Sequence, residues 1–141
     1  MERLTEIYND MERAGVYLAS GVYHLKGDCD SVVLRDGDHY GVFLDIEKIR
    51  TLVQEKEAVS HEWAHIKTMT TYALDAPWDV KARAENRADK EQIRMLVAEN
   101  ELFEAFSDGH TEIWELAERF NVSEDFMRKA VHYYEFGNLG G

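Results

Sequence analysis

Two histidines and a glutamate in this chain have the spacing of a zinc-binding helix. The segment His61-Glu62-Trp63-Ala64-His65 matches the H-E-x-x-H pattern. In an α-helix, side chains at positions i and i+4 point the same way, so both imidazoles can reach one metal ion. Glu62 lies on the same side of such a helix, where its carboxylate can take a proton from a zinc-bound water. The pattern therefore predicts a zinc site with His61 and His65 as ligands and Glu62 as the catalytic base.

The third metal ligand must come from another part of the chain. The longer metzincin motif has glycine and histidine where this chain has Thr68 and Thr71, so that motif is excluded. A site with two histidines and one glutamate takes its carboxylate from a following helix. Glu85 follows His65 after a loop that contains Pro77, and this loop allows the chain to return antiparallel. We expect Glu85 to complete a site for one Zn²⁺ ion per chain.

Other residues could support the same site. Asp89 is one helical turn after Glu85, and we expect it to accept an N–H from a ligand histidine and to fix the tautomer of that histidine. Asp79 and Glu91 are alternative third ligands. The reaction also needs a hydrogen-bond donor for the developing oxyanion, and the sequence leaves five candidates open. They are His24, His39, Tyr72, His110 and His132.

Apolar spacing along the chain predicts an α+β fold that is mostly helical. Apolar residues recur every three or four positions over 2–19 and predict an opening helix. Short β-type runs at 32–34 and 40–44, on either side of a polar turn with Asp36-Gly37, predict a hairpin. The other predicted elements are one or two helices after residue 46, the second over about 54–68, a loop over 73–79, a long helix over 81–106, and helices over 113–119 and 123–134.

The helix with the reactive segment is predicted to bury its opposite face. Val59, Trp63, Ile66 and Thr70 form a mostly apolar stripe at helical spacing. We expect this stripe to pack against the rest of the domain while the histidines face the other way.

Length and charge limit the possible functions. The 141 residues, 45% of them apolar, suffice for a single domain, which we divide into a metallopeptidase core over 1–106, a helical extension over 107–135 and a loose tail over 136–141. The formal net charge of −12 at pH 7 argues against direct nucleic-acid binding, because an acidic surface repels phosphate. Cys29 is the only cysteine, and no apolar run is long enough for a membrane span. We expect a cytoplasmic protein with neither disulfides nor membrane contact.

The chain resembles the ImmA/IrrE family of metallo-endopeptidases, particularly the short versions encoded by phages and integrated mobile elements. The resemblance covers most of the chain, and beside the hairpin it rests on the segments 58–65, 85–89 and 115–126. The family's usual E-x-x-A pattern fits Glu85 and Ala88. One departure lies inside the motif, where this chain has tryptophan and alanine and the family usually has leucine and glycine.

The resemblance implies a zincin-like fold of the thermolysin-like group, with zinc bound by His61, His65 and Glu85 and with the same catalytic base. It also implies a substrate, because such proteins typically cut or help to inactivate a helix-turn-helix repressor encoded beside them. Residues 115–126 have themselves a pattern typical of a helix-turn-helix. Two alternatives to a peptidase are therefore a repressor-binding antagonist without hydrolysis and a binding module on the same scaffold.

Overall fold

The computed structural model describes residues 2–21 and 24–140. This part of the chain contains six helices and three strands, so the predicted α+β class with mostly helical content is confirmed. None of the described helices combines the length and the apolar composition that a bilayer crossing needs. In chain order the elements are α1 (Glu2–Arg13), β1 (Tyr17–Gly21), β2 (Ser31–Asp36), β3 (His39–Asp45), α2 (Leu52–Lys67), α3 (Trp78–Leu96), α4 (Glu99–Ser107), α5 (Ile113–Phe120) and α6 (Glu124–Phe136).

The three strands form a small mixed sheet in the order β1-β3-β2. β2 and β3 are antiparallel, with Ser31 opposite Leu44, so the predicted hairpin is confirmed. β1 runs parallel to β3 on the other side of it, with Tyr17 opposite Gly41. Val42 and Leu44 of the central strand are buried and point to the same face, because successive strand residues alternate between faces. That face packs into the core of the molecule.

The opening helix is shorter than predicted. It ends at Arg13 instead of continuing to residue 19. Gly15 adopts a φ of 77°, and the N–H groups of Gly15 and Val16 donate to carbonyls of the last helical turn, which is a glycine-terminated helix end. The prediction was wrong because Leu18 continues the apolar spacing of the helix, although it lies in β1.

α2 carries the reactive segment and has a well-defined start. The Thr51 hydroxyl accepts a hydrogen bond from the Gln54 N–H at 3.0 Å, and the Gln54 side chain accepts one from the Thr51 N–H at 3.1 Å. This reciprocal capping pair fixes the first turn. Trp63 is buried in the core, as predicted. Thr70 is also buried but is not part of the helical stripe, because α2 ends at Lys67.

The predicted long helix over 81–106 is in fact two helices, α3 and α4. The break lies at Val97, whose φ of −134° and ψ of 85° are not helical. Val97 is fully buried, and its carbonyl accepts a 2.6 Å hydrogen bond from the Tyr134 hydroxyl of α6. The sequence over 78–107 contains neither glycine nor proline, so local signals do not reveal this break.

The C-terminal helices α5 and α6 are attached to α2 through two adjacent residues. The buried Lys56 donates from Nζ to the carbonyl of Phe120 at 2.9 Å. The carboxylate of Glu57 accepts from both the N–H and the hydroxyl of Ser123, at 2.7 and 2.9 Å, where α6 begins. Leu139, after the end of α6, packs against the core, and residue 141 lies outside the described residues. Core members come from all parts of the chain: Ile7, Met11, Val42, Leu44, Val59, Trp63, Ile93, Leu102, Leu116, Phe126 and Met127.

The loop before β2 is held by a buried aspartate and a lysine. Asp45 accepts hydrogen bonds from the N–H groups of Leu25 at 3.1 Å and of Glu47 at 3.2 Å. Lys48 lies 3.5 Å from the same carboxylate and donates to the carbonyls of Gly27 and Cys29. Burial alone would raise the pKa of Asp45, but these hydrogen bonds and the charge of Lys48 outweigh it and lower that pKa below its usual range.

We expect Asp45→Asn to lower the urea midpoint at pH 7, because the folded state then loses a charged acceptor. The folded pKa is lowered, so the stabilisation by Asp45 is present above about pH 4 and disappears as the pH falls through the folded pKa. The midpoints of wild type and variant should therefore converge in acid. Asp38→Asn, in the exposed hairpin turn, is the matched control. A gap between wild type and Asp45→Asn that is constant from pH 7 to pH 3 would contradict this account.

Candidate metal centre

The three residues predicted as metal ligands lie together in the structure. One ligand atom from each of His61, His65 and Glu85 can be chosen so that all lie within 4.8 Å of one another. The carboxylate of Glu85 lies between the imidazoles, with one oxygen 3.0 Å from Nε2 of His61 and the other 3.2 Å from Nε2 of His65. The two rings are nearly perpendicular, with centroids 4.8 Å apart. One turn of α2 and one residue of α3 therefore form a single convergent cluster.

Helix packing explains how Glu85 reaches the histidines. Gln92 of α3 is buried and donates from Nε2 to the carbonyl of Glu57 at 2.7 Å and to the hydroxyl of Ser60 at 3.0 Å. Gln92 contacts Glu57 in the first half of α2, and Glu85 contacts His65 near the end of α2. The two helices are therefore antiparallel here, as the sequence predicted. The buried residues Ala84 and Ala88 flank Glu85, and their small side chains permit close approach.

The hydrogen bonds of His65 determine which of its two ring nitrogens carries the proton and which is an acceptor. Nδ1 of His65 lies 3.2 Å from the carbonyl oxygen of Thr70, which can only accept, so Nδ1 carries the proton of the neutral ring. Nε2 then presents its lone pair to a carboxylate oxygen of Glu85 at 3.2 Å. Two acceptors at this distance repel each other unless a proton or a metal cation lies with them. The donor set is therefore chemically suited to a cation.

The spacing of the ligand atoms also suits a small divalent ion. In a tetrahedral site with zinc–ligand bonds of about 2.0–2.1 Å, ligand atoms lie about 3.3 Å apart. The two nitrogen–oxygen distances in the cluster, 3.0 and 3.2 Å, run to different oxygens of Glu85, and one ligand atom from each of the three residues lies within 4.8 Å of the others. Small side-chain movements would bring these atoms to the spacing of such a site.

Charge is concentrated around His61. Burial lowers the pKa of His61, but contacts with the carboxylates of Asp89, Glu62 and Glu85 outweigh it and raise that pKa to about 12. The nearest carboxylate oxygens lie 3.4, 3.6 and 3.0 Å from its ring nitrogens. For Glu85 the balance is reversed: burial raises its pKa, but hydrogen bonds from His61 and Tyr72 and the charge of His61 outweigh it and lower that pKa far below the usual range. Glu85 is therefore a permanent anion in a cluster that attracts positive charge.

The predicted catalytic base is buried beside this cluster. Glu62 is 5% exposed, and one carboxylate oxygen lies 3.6 Å from Nδ1 of His61. The other oxygen accepts from the hydroxyl of Ser31 at 3.3 Å, and Asp30 shares that one proton at the same distance. Ser31 begins β2, so the sheet orients the carboxylate of Glu62. No motif in the sequence marked Ser31, which follows a loop and has no helical or alternating pattern of its own.

Among the five candidate oxyanion donors, Tyr72 is the one that contacts a ligand residue in the described part of the chain. Its hydroxyl donates to Glu85 at 2.6 Å, and its ring centroid lies 6.0 Å from that of His65. Burial and the negative charge of Glu85 raise the pKa of Tyr72 above its usual value, so the phenol keeps its proton. The others lie elsewhere: His24 near Glu47, His39 in the β2–β3 ladder, His110 near Arg119 and His132 near Asn138.

The other predicted carboxylates have different surroundings. Asp89 lies 3.4 Å from Nε2 of His61, the same nitrogen that faces Glu85. Glu91 is paired with Lys67 at 3.2 Å, and Asp79 is paired with Arg83 at 3.3 Å. Neither Glu91 nor Asp79 belongs to the convergent cluster.

An open cavity of about 410 Å³ adjoins the cluster. His61 and Glu85 form part of its wall, so a molecule in the cavity can approach the ligand residues from outside. The rest of the cavity wall includes Asp30, Ser31, Glu57, Asp89, Gln92 and Lys129.

Cys29 is exposed near one end of β2, where its thiol donates to the carbonyl of Ser31 at 3.0 Å.

Comparison of the chain with models of protein families, with curated proteins and with solved structures gives no match.

We expect the wild-type protein, reconstituted with Zn²⁺ and desalted, to hold about one zinc per chain. Glu85→Ala should lose most of this zinc, because three protein ligands are the usual minimum for a zinc site of this kind. Inductively coupled plasma mass spectrometry measures the metal directly. Glu91→Ala is the matched control, since Glu91 is on the same helix but outside the cluster. Equal zinc content in Glu85→Ala and wild type would contradict the assignment of Glu85.

Proposed function

We propose that this protein is a zinc-dependent endopeptidase of the H-E-x-x-H class. The observation that supports the proposal most directly is the convergence of His61, His65 and Glu85 from two antiparallel helices, with the buried Glu62 directly beside them. His61, His65 and Glu85 would hold the ion. A zinc ion bound there supplies Lewis acidity, which lowers the pKa of a water molecule and polarises a carbonyl oxygen.

Glu62 is suited to move the proton in this reaction. Its carboxylate is buried, accepts a hydrogen bond from Ser31 through one oxygen and lies 3.6 Å from Nδ1 of His61 through the other. Held in this way, Glu62 takes a proton from the attacking water and later delivers it to the amine that leaves. Fixed orientation favours both transfers because each needs the carboxylate within hydrogen-bond distance of the reacting atom.

Tyr72 is suited to stabilise the developing negative charge on the substrate carbonyl oxygen. It retains its proton at neutral pH, and its hydroxyl lies at the cluster, where it donates to Glu85. A phenol that exchanges this acceptor for the carbonyl oxygen of a bound peptide would act as an oxyanion donor.

The proposed substrate is a helix-turn-helix repressor, and the proposed setting is the cytoplasm. The substrate class is proposed from the resemblance to the ImmA/IrrE family. A zincin-like fold, and a helix-turn-helix-like role for α5 and α6, are proposed on the same ground. The formal net charge of −12 supports the choice of partner, since repressors that bind DNA carry basic surfaces. The same charge is unfavourable for direct binding of this chain to nucleic acid.

We expect Glu62→Gln to keep its zinc but to lose peptide cleavage by about 100-fold or more. The reason is that the amide cannot accept the proton of the attacking water. A proteome-derived peptide library, digested by the zinc-loaded protein and analysed by mass spectrometry, reports cleavage without a known substrate. Glu118→Gln, on the exposed side of α5, is the matched control.

The outcomes of the library experiment are distinct. New peptide ends with wild type and Glu118→Gln, but not with Glu62→Gln, support the peptidase. Equal cleavage by all three proteins points to a contaminant and contradicts the proposal. A third outcome would support the non-hydrolytic antagonist instead. In that case zinc-loaded wild type and Glu62→Gln bind helix-turn-helix repressors equally, and wild type cuts neither the repressors nor the library.

Tyr72→Phe is expected to lower kcat by on the order of 100-fold with little change in KM, because the lost donor acts mainly on the transition state. The assay uses a peptide identified in the library and saturating zinc, with metal content measured in parallel. Tyr17→Phe, on the exposed edge strand β1, should behave like wild type. An unchanged kcat in zinc-loaded Tyr72→Phe would remove Tyr72 from the mechanism.

A further inference from the structure

We infer that the turn formed by Thr68, Met69 and Thr70 is a positioning device that fixes the tautomer and the ring orientation of His65. The inference rests on the proposed metal site for its function, but it is carried by hydrogen bonds that exist in the chain itself. None of the three residues is part of the H-E-x-x-H motif.

A continuous set of hydrogen bonds links the ring of His65 to the backbone of α2. Nδ1 of His65 lies 3.1 Å from the hydroxyl oxygen of Thr70 and 3.2 Å from its carbonyl oxygen. The hydroxyls of Thr70 and Thr68 are 2.7 Å apart. The Thr68 hydroxyl in turn donates to the carbonyl of Ala64 at 2.8 Å.

The direction of every proton in this set follows from the acceptor at its end. The Ala64 carbonyl can only accept, so the single hydroxyl proton of Thr68 is used there. Thr70 must then donate its own proton to Thr68, which leaves the Thr70 hydroxyl oxygen as an acceptor toward His65. The proton between them therefore belongs to Nδ1 of His65. Nε2 is left with its lone pair directed at the cluster.

The backbone of the turn brings Thr70 into this position. Thr70 donates its N–H to the carbonyl of His65 at 2.9 Å, and Met69 donates to the carbonyl of Ile66 at 3.1 Å, which together form a Schellman end of α2. Met69 has a φ of 56° and a side chain that is 80% exposed, so a position that favours glycine is occupied by a larger residue. Thr70 thus contacts both the backbone and the ring of the same histidine.

The two histidines of the cluster are held by different chemistry. His61 is surrounded by carboxylates, which attract a proton to the ring. His65 is 3% exposed, and its Nδ1, on the side of the ring away from Glu85, faces the neutral oxygens of Thr70. A metal ligand needs a free lone pair, and the turn keeps one available on His65 without adding negative charge.

The test compares Thr70→Val with Thr70→Ser. Thr70→Val keeps the shape but removes the hydroxyl, and we expect its zinc affinity, measured by competition with a chromogenic chelator, to fall about 10- to 100-fold. Thr70→Ser restores the hydroxyl and should bind zinc like wild type. Thr71→Val, the neighbouring threonine outside the hydrogen-bonded set, is the matched control. Wild-type affinity in Thr70→Val would overturn the role in metal binding.

A second measurement does not depend on metal. Nitrogen-15 NMR of histidine-labelled, metal-free protein at pH 8.5 reports which ring nitrogen of neutral His65 carries the proton. We expect Nδ1–H in wild type and an increased share of Nε2–H in Thr68→Val, since Thr70 is then free to donate to the ring. Predominant Nε2–H in wild type would overturn the inference. If wild type shows Nδ1–H and binds no zinc, the proposed metal function fails while the assignment of the turn stands.

Discussion

The contact of one carboxylate with two imidazoles is the constraint on which the rest of this structure depends. Glu85 remains ionised because His61 and Tyr72 stabilise its charge, and the same carboxylate faces the lone pair of Nε2 of neutral His65. Only packing of α3 antiparallel to α2 brings them together, and Gln92, Ala84 and Ala88 provide that packing. Packing of the two helices thus holds an anion beside a neutral nitrogen acceptor, and a bound divalent ion would attract both groups.

The remaining contacts of α2 keep its reactive face in place. The capping pair at Thr51 fixes its start, the Glu57 carboxylate joins it to the start of α6, and Trp63 inserts into the core on the opposite side. The turn at Thr70 fixes its end. Three of these contacts are hydrogen bonds and one is apolar packing, and they act at different points along the helix. This arrangement gives the side chains of the cluster little freedom, as preorganised sites require.

Sequence reasoning predicted that the residues of this cluster lie together because local periodicity and side-chain chemistry agree there. Helical spacing places His61 and His65 on one face, and a following helix was expected to supply a carboxylate, with Glu85 preferred over Asp79 and Glu91. It missed the role of Thr70, which it placed on an apolar stripe, because a Schellman end with methionine has no glycine to signal it. It also merged α3 and α4, since the break at Val97 is stabilised by Tyr134 from a distant helix. Local patterns identify what α2 carries, whereas the end of α3 depends on a hydrogen bond from a distant helix.

In the proposed site, the surroundings of His61 would couple metal binding to the orientation of Glu62. A cation at Nε2 leaves the single proton of the ring on Nδ1, and Nδ1 lies 3.6 Å from a carboxylate oxygen of Glu62. The other oxygen of Glu62 already accepts from Ser31. An occupied site would therefore present donors to both oxygens and hold Glu62 in one orientation. Without a cation, His61 shares its protons among the three neighbouring carboxylates of Glu62, Glu85 and Asp89. The base is thus expected to be fully oriented only when the metal site is filled, which links the ability to move a proton to the presence of the ion.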